Sequence, residues 1–197
     1  TTDFPVTTSS GEARKFFLQG VSQIHSFWFQ ESERSCLQAA ALDPQMAMAH
    51  WCIAVSAGGD YRPAFQLMRD PNDGGRGAAP AAAPRENPEA VARTTNGAAV
   101  DAAIRAREAI AKAMSLRDKV TERERLYIEA QSARRAAGNR DAADAGYIAG
   151  MRKLVAAYPN DLEAKSMLAL GIDNGFHPVT KEARPGTMEA IELMEEI

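Results

Sequence analysis

The sequence predicts an all-α fold built from short, paired helices. Alanine is abundant and β-branched residues are scarce. This favours helix because alanine loses no side-chain entropy on becoming helical. Apolar residues recur at intervals of three and four, the spacing of one helix face, in segment after segment. Short turns rich in Asp, Asn, Gly and Pro separate these segments and divide the chain into helices.

The first three helices follow a polar lead-in. Residues 1–10 are rich in Thr and Ser, which predicts an extended segment with a serine capping the first helix at Gly11. A second helix is expected over about 30–42. Pro44 then suits the first turn of a third helix, because its fixed backbone angle fits there and its missing N–H is not needed.

The later helices are separated by two long insertions, at about 58–96 and 172–186. Both insertions are dense in turn-forming residues, and segments of this length are often functional or mobile. Thr121 and Glu124 form a capping-box pattern that predicts a helix start. The remaining helices are expected over about 96–116, 121–137, 141–157, 162–170 and 187–197. We therefore predict one helical repeat domain, residues 11–197, after the lead-in.

Small and bulky residues fall at the spacing of a repeated helix pair of about 34 residues that closes with a proline. If Pro44 closes the first pair, Ala39 and Ser32 lie where its second helix crosses the first, and Gly20 is the matching small residue on the first helix. Such residues let two helices approach closely, while a bulky residue fills the gap to the next pair. The predicted repeat-packing residues are Phe16, Gly20, Ser32, Cys36, Ala39, Pro44, Trp51 and Pro159.

The stretch FFLQGVSQIHSFWFQESERSCLQAAALDPQMAMAHWCIAVSAG resembles a group of bacterial tetratricopeptide repeat (TPR) proteins. The later segments TERERLYIEA and MRKLVAAYPNDLEAKSMLAL are similar to the same group. The resemblance covers the greater part of the chain and implies an α-solenoid of about four TPR-like helix pairs. It implies little about activity, because no catalytic site defines the group.

Charge and motif content narrow the class of function. The formal net charge of −3 gives no electrostatic reason to bind nucleic acid. No apolar run approaches the ~20 residues that cross a bilayer. The metalloprotease, nucleophile-elbow, P-loop and dinucleotide-binding motifs are missing from the sequence. We therefore expect no catalytic residue and no cofactor, and we expect protein as the partner.

Histidine and cysteine residues carry the rival hypothesis of a metal-binding or enzymatic repeat protein. His25, His50 and His177 would be its residues, although His50 and Cys52 lie two apart and point in nearly opposite directions on a helix. Cys36 and Cys52 leave three alternatives: one disulfide, a metal pair, or two separate core hydrophobes, which is the usual case. We expect no metal site.

The start of the chain bears on its location. The first residue is Thr1 rather than Met, and a polar stretch such as TTDFPVTTSS is typical of a mature exported protein. We therefore expect a periplasmic or extracellular protein, with the cytoplasm as the alternative. Export would also favour the disulfide.

Apolar residues with no evident partner suggest where the chain binds protein. Three consecutive aromatics at 27–29 cannot all face one side of a helix, and the final helix keeps its apolar residues on one side. A solenoid normally ends in a polar cap, so further chain or another subunit would cover that side. Head-to-tail stacking of identical subunits gives a ring or a filament. The candidate interface residues are Trp28, Phe29, Phe176, Met188, Ile191, Met194 and Ile197.

Two functions follow from this pattern. The first is a non-enzymatic scaffold that self-assembles into a homo-oligomer or filament through end-to-end stacking of its repeats. The alternative is a TPR adaptor that holds a peptide segment of another protein in a concave groove. A groove of that kind predicts an inner face lined by Asn, Lys and Arg, whereas the first helices of these pairs are rich in Phe, Met and Ala.

Overall fold

The computed structural model describes residues 4–59, 88–136, 139–172 and 174–197; for 88–101, 136 and 140 it describes the backbone alone. Within these ranges there are eight α-helices and one short 3₁₀ turn, and no strand beyond an isolated bridge between Phe176 and Ala183. The helices are α1 (Gly11–His25), α2 (Phe29–Leu42), α3 (Ala47–Gly58), α4 (Pro88–Ser115), α5 (Glu122–Ala136), α6 (Arg140–Ala157), α7 (Leu162–Ile172) and α8 (Thr187–Glu195). The predicted all-α class is confirmed for this part of the chain.

Side-chain caps begin several of these helices. Ser10 Oγ accepts a hydrogen bond from Ala13 N at 3.1 Å at the start of α1. The predicted capping box of α5 is confirmed: Thr121 N donates to Glu124 Oε2 at 3.0 Å and Glu124 N donates to Thr121 Oγ1 at 3.3 Å. Each cap satisfies backbone N–H groups that have no partner inside the helix, so these local residues determine where the chain becomes helical.

One predicted boundary was wrong. The helix expected to start near residue 96 begins at Pro88 instead. Proline fits the first turn of a helix as well as it fits a loop. Because the stretch before residue 96 is rich in proline, the whole of it was predicted to be a loop. Most of the predicted 58–96 insertion, residues 60–87, lies outside the described residues. The second predicted insertion corresponds to the non-helical residues between α7 and α8.

Each helix contacts the next one along the chain, from α1 to α8. In addition, α1 contacts α3, and α3 contacts α5. The odd-numbered helices at the start of the chain therefore lie side by side, with α2 and α4 packed against them. No helix in the described ranges is both long enough and apolar enough to cross a membrane.

Small residues bring α1, α2 and α3 together. Ser32 Oγ donates to the Gly20 carbonyl at 2.8 Å, and Ser56 Oγ lies 2.7 Å from Ser32 Oγ. A disulfide joins Cys36 of α2 to Cys52 of α3, with the two Cα atoms 5.8 Å apart. A methyl group on Gly20 would lie closer than 3.0 Å to Cys36 Sγ. The absent side chain of Gly20 is thus what makes room for the disulfide.

The other predicted repeat-packing residues divide between core and surface. Ala39 and Trp51 are buried, while Pro44 and Pro159 lie exposed in the turns before α3 and α7. Phe17, rather than Phe16, is the fully buried aromatic of α1. Phe16 is only half-buried, beside a shallow surface depression that Glu12, Lys15 and Gln19 also line. Phe17 therefore has the fully buried place expected for Phe16, which packs against the edge of the core.

Candidate interaction surfaces

One face of α8 is apolar and exposed. Met188, Met194 and Ile197 are 53%, 52% and 50% exposed, and Ile191 between them is partly exposed. Ala190, one turn before Met194 on the same side of the helix, is buried among the core residues. Residues 188, 191 and 194 follow one another at intervals of three, so they lie along one side of the helix. We call these three residues, together with Ile197 just after the helix, the α8 face.

Exposed apolar residues are concentrated in the same part of the sequence as this face. Of the ten large hydrophobic residues that are exposed in the described ranges, seven lie between 162 and 197. Apart from the α8 face, they are Leu162, Leu170, Phe176 and Val179. Single exposed hydrophobics are ordinary on a soluble protein, whereas a cluster of them usually marks a binding surface. Residues 162–197 therefore carry most of the large exposed hydrophobics of the described chain.

The segment between α7 and α8 has a defined shape. Phe176 and Ala183 form a backbone bridge, and His177 Nδ1 accepts hydrogen bonds from Val179 N at 3.3 Å and Thr180 N at 3.1 Å. His177 is thus a turn-stabilising residue on the surface. Its aromatic neighbour Phe176 is 52% exposed, so this candidate interface residue is presented to solvent by an ordered turn.

Two ion pairs hold α8 against the preceding helices. Arg152 of α6 binds the two carboxylate oxygens of Glu189 at 2.8 and 2.6 Å, and Lys165 of α7 binds Glu196 at 2.6 Å. The hydrogen bonds from Arg152 lower the pKa of the Glu189 carboxyl. Glu189 and Glu196 are therefore paired within the chain, while Met188 and Met194 remain exposed.

The three consecutive aromatics at 27–29 have three different environments. Phe27 adopts a left-handed backbone conformation with φ of 58°, which turns the chain between α1 and α2. Trp28 consequently points outward and is 64% exposed, whereas Phe29 is buried at 6%. The prediction of Phe29 as an interface residue was wrong, because Phe29 opens α2 on its inner side, 6.4 Å from the Phe27 ring. Trp28 remains a candidate.

The N-terminal lead-in is bound within the fold, a feature that the sequence did not reveal. Phe4 is fully buried, and its ring centroid lies 5.3 Å from that of Phe17, 6.0 Å from that of Trp51 and 5.1 Å from that of Tyr127. These three aromatics belong to α1, α3 and α5. Arg123 of α5 stacks over the Phe4 ring at 4.4 Å. Phe4 is thus the point where the three side-by-side helices meet.

Polar contacts hold the rest of the lead-in. Thr7 donates to the Glu124 carboxylate twice, from its N at 2.7 Å and from its Oγ1 at 2.6 Å. Thr8 Oγ1 donates to Asp43 Oδ2 at 2.6 Å, and Arg123 donates to the Pro5 carbonyl at 3.2 Å. Both backbone and side-chain groups of residues 4–8 are therefore recognised. We call their partners, Phe17, Asp43, Trp51, Arg123, Glu124 and Tyr127, the lead-in site.

Asp161 orders the far side of the lead-in site. Its Oδ2 accepts hydrogen bonds from Arg123 Nε at 2.7 Å and Tyr127 Oη at 3.0 Å, and its Oδ1 caps α7 at Ala164 N at 3.1 Å. Burial raises the pKa of Tyr127 well above its usual value, and the negative charge of Asp161 raises it further. The phenol therefore stays protonated as a donor, and the arginine and tyrosine side chains are held in place for Phe4.

The histidines make separate contacts. His25 Nε2 binds the Glu163 carboxylate of α7, and this hydrogen bond raises the His25 pKa against the opposing effect of burial. His50 Nε2 lies 3.1 Å from the Pro44 carbonyl, and burial lowers its pKa. The described residues bring no three His, Cys, Asp or Glu side chains together in a metal-binding cluster. The residues of the rival hypothesis are thus not gathered at one place.

Comparisons of the chain with protein-family models, curated proteins and solved structures found no match.

Proposed function

We propose that this chain is a non-enzymatic interaction scaffold that assembles with copies of itself through the α8 face and its apolar surroundings. The observation that carries the proposal is the concentration of exposed hydrophobics in residues 162–197. Fully burying a Met or Ile stabilises by about 1.5–3 kcal/mol. The side chains of Met188, Met194 and Ile197 are about half exposed, so each has roughly 1 kcal/mol to gain from being covered.

Contacts between alternate helices support this proposal. The contacts α1–α3 and α3–α5, together with contacts between successive helices, are those expected of stacked pairs over the first three helix pairs. Each pair in such an array covers the apolar side of the previous pair. The α8 face would be covered in the same way by the first pair of another copy. That contact is heterologous and extends into a ring or a filament.

Charge supports a copy of this chain as the partner. Glu192 and Glu195 flank the α8 face and are exposed, while α1 presents Lys15, with Glu12, beside the half-buried Phe16. An acidic, apolar stretch of α8 can thus pair with Lys15 and Phe16 of another copy. Complementary charge steers two surfaces together and fixes their register. Trp28, between α1 and α2, adds exposed apolar area to the same first helix pair.

We also propose an exported location, either periplasmic or extracellular. The Cys36–Cys52 disulfide supports it. Disulfides form and persist in oxidising compartments and are rare in the cytosol. Isolation of the native protein with two free thiols would contradict this location.

A pair of charge substitutions tests the interface. Met194→Glu places a carboxylate in the α8 face, and Ile104→Glu is a matched control on α4, where Ile104 is 45% exposed. We expect light scattering to give a smaller average mass for Met194→Glu than for the wild type and an unchanged mass for Ile104→Glu. Equal masses for both variants and the wild type, with all three chains folded, would contradict the proposed interface.

A further inference from the structure

The lead-in contacts its site as a bound peptide contacts a receptor. Residues 4–8 have no helical or sheet structure, and only Ser9 and Ser10 connect them to α1. Their contacts combine one buried aromatic anchor with hydrogen bonds to a backbone N–H, a backbone carbonyl and two hydroxyl groups. Anchors of this kind give affinity, and backbone hydrogen bonds fix the register of an extended segment.

We propose that the lead-in site is a receptor for the lead-in of a second copy, so that residues 4–8 exchange between chains. The occupant is identified by the contacts themselves, because a second copy carries the same Phe-Pro-x-Thr-Thr segment that fits here. Reciprocal exchange costs little, since each chain regains from its partner the contacts it gives up. Within one chain the segment competes at an effective concentration in the millimolar range, so exchange grows with protein concentration.

The charges of the lead-in site define which segments it accepts. Glu124 receives both donors of Thr7, so an acidic side chain at that position is repelled. Arg123 lies against the Phe4 ring and is held there by Asp161, so it favours an aromatic ring with an electron-rich face. The site therefore selects an aromatic residue followed, three positions later, by a residue with a hydroxyl donor.

A labelled peptide tests the receptor. The probe is TTDFPVTTSS, the sequence of residues 1–10, and the matched control is TTDAPVTTSS, which lacks the aromatic ring. The acceptor is the full chain carrying Phe4→Ala, whose own segment has lost its anchor. We expect saturable binding by fluorescence anisotropy, weaker by about a hundredfold or more for the control peptide. The wild-type chain should bind the probe at least about tenfold more weakly than the Phe4→Ala chain does, because its own segment competes.

Absence of saturable binding to a folded Phe4→Ala chain would overturn the proposal. If that variant loses its helical circular dichroism, Thr7→Val replaces it as the acceptor. This change removes one hydrogen bond to Glu124 and leaves the aromatic anchor and the receptor residues in place. The proposal would equally be overturned if the folded Thr7→Val chain bound the probe no better than the wild type does.

Photo-crosslinking tests the exchange itself. A full chain with a benzophenone in place of the Phe4 ring would crosslink to whichever copy holds its lead-in. We expect a crosslinked dimer on a denaturing gel, with a yield that rises with protein concentration. Crosslinks confined to single chains at every concentration would overturn the exchange.

This inference shares its partner with the proposed function but uses a different surface. Met194→Glu should leave both the peptide affinity and the crosslinked dimer unchanged, and Phe4→Ala should leave the contact through the α8 face intact. Failure of one proposal is therefore distinguishable from failure of the other.

Discussion

Replacing Gly20 by alanine tests the close approach of α1, α2 and α3. A glycine-to-alanine change inside a helix ordinarily stabilises by about 1 kcal/mol. Here the added methyl group would lie closer than 3.0 Å to Cys36 Sγ and 3.2 Å from Cys52 Sγ. These sulfur atoms are bonded to each other across two helices, so neither can move away as a flexible side chain would.

The expected result is a loss of stability. Overpacking in a core costs about 1–3 kcal/mol, which outweighs the gain in helix propensity and leaves a net loss of about 1 kcal/mol. For a chain of this size, that loss lowers Tm by about 2–4 °C. Thermal unfolding followed by circular dichroism measures it. Gly11→Ala is the matched control on the same helix, because its methyl group meets nothing within 4 Å.

A variant without the disulfide tests whether the contact with the sulfur atoms causes the loss of stability. In a Cys36→Ala/Cys52→Ala background the obstructing sulfur atoms are gone, so Gly20→Ala should be neutral or stabilising. A double-mutant cycle then gives the coupling between the glycine and the disulfide directly. If Gly20→Ala raises Tm in the wild-type background as much as Gly11→Ala does, the packing argument is refuted.

Three further predictions concern long-range contacts. Removing the disulfide with Cys36→Ala/Cys52→Ala should lower the free energy of unfolding by about 3 kcal/mol on the loop-entropy model, since the bridge closes a loop of 16 residues. Urea unfolding would measure this loss, and an unchanged unfolding midpoint would contradict the prediction. Glu163 raises the pKa of His25 in the folded state, so the stability from this pair is complete below the unfolded pKa of about 6.5 and is lost as pH rises through the folded pKa. The wild type should therefore lose more stability between pH 6 and pH 8.5 than His25→Gln does, and equal losses would refute the linkage. Thr7→Val should lower stability by about 1–2 kcal/mol, because Glu124 loses a hydroxyl donor, and no change in Tm would show that the lead-in is not held there.

Local chemistry made the helices and many of their ends predictable. Thr121 and Glu124 marked the start of α5 because capping depends on residues three apart. Gly20, Ser32 and Ala39 were found as small crossing residues, since their spacing follows from helix geometry. The structure adds what spacing alone does not contain. The Ser32 hydroxyl binds the Gly20 carbonyl and faces Ser56, which explains a serine where alanine is usual.

Contacts distant in sequence were not predictable. Phe4 meets Tyr127, and Thr7 meets Glu124 across 117 residues, so no local pattern in the Thr-rich lead-in indicated a buried anchor. The pairing of His25 with Glu163 spans 138 residues in the same way. Phe29 was misassigned for a related reason. Composition indicated that one of three aromatics would face outward, but the positive φ of Phe27 determines which one.

The mass of the wild-type chain in solution tests the proposed self-assembly most directly. Sedimentation velocity over a wide range of protein concentration would measure it against the 21.3 kDa of one chain. The exposed α8 face predicts species of two or more chains whose proportion rises with concentration. A single species with the mass of one chain at every concentration would contradict the account.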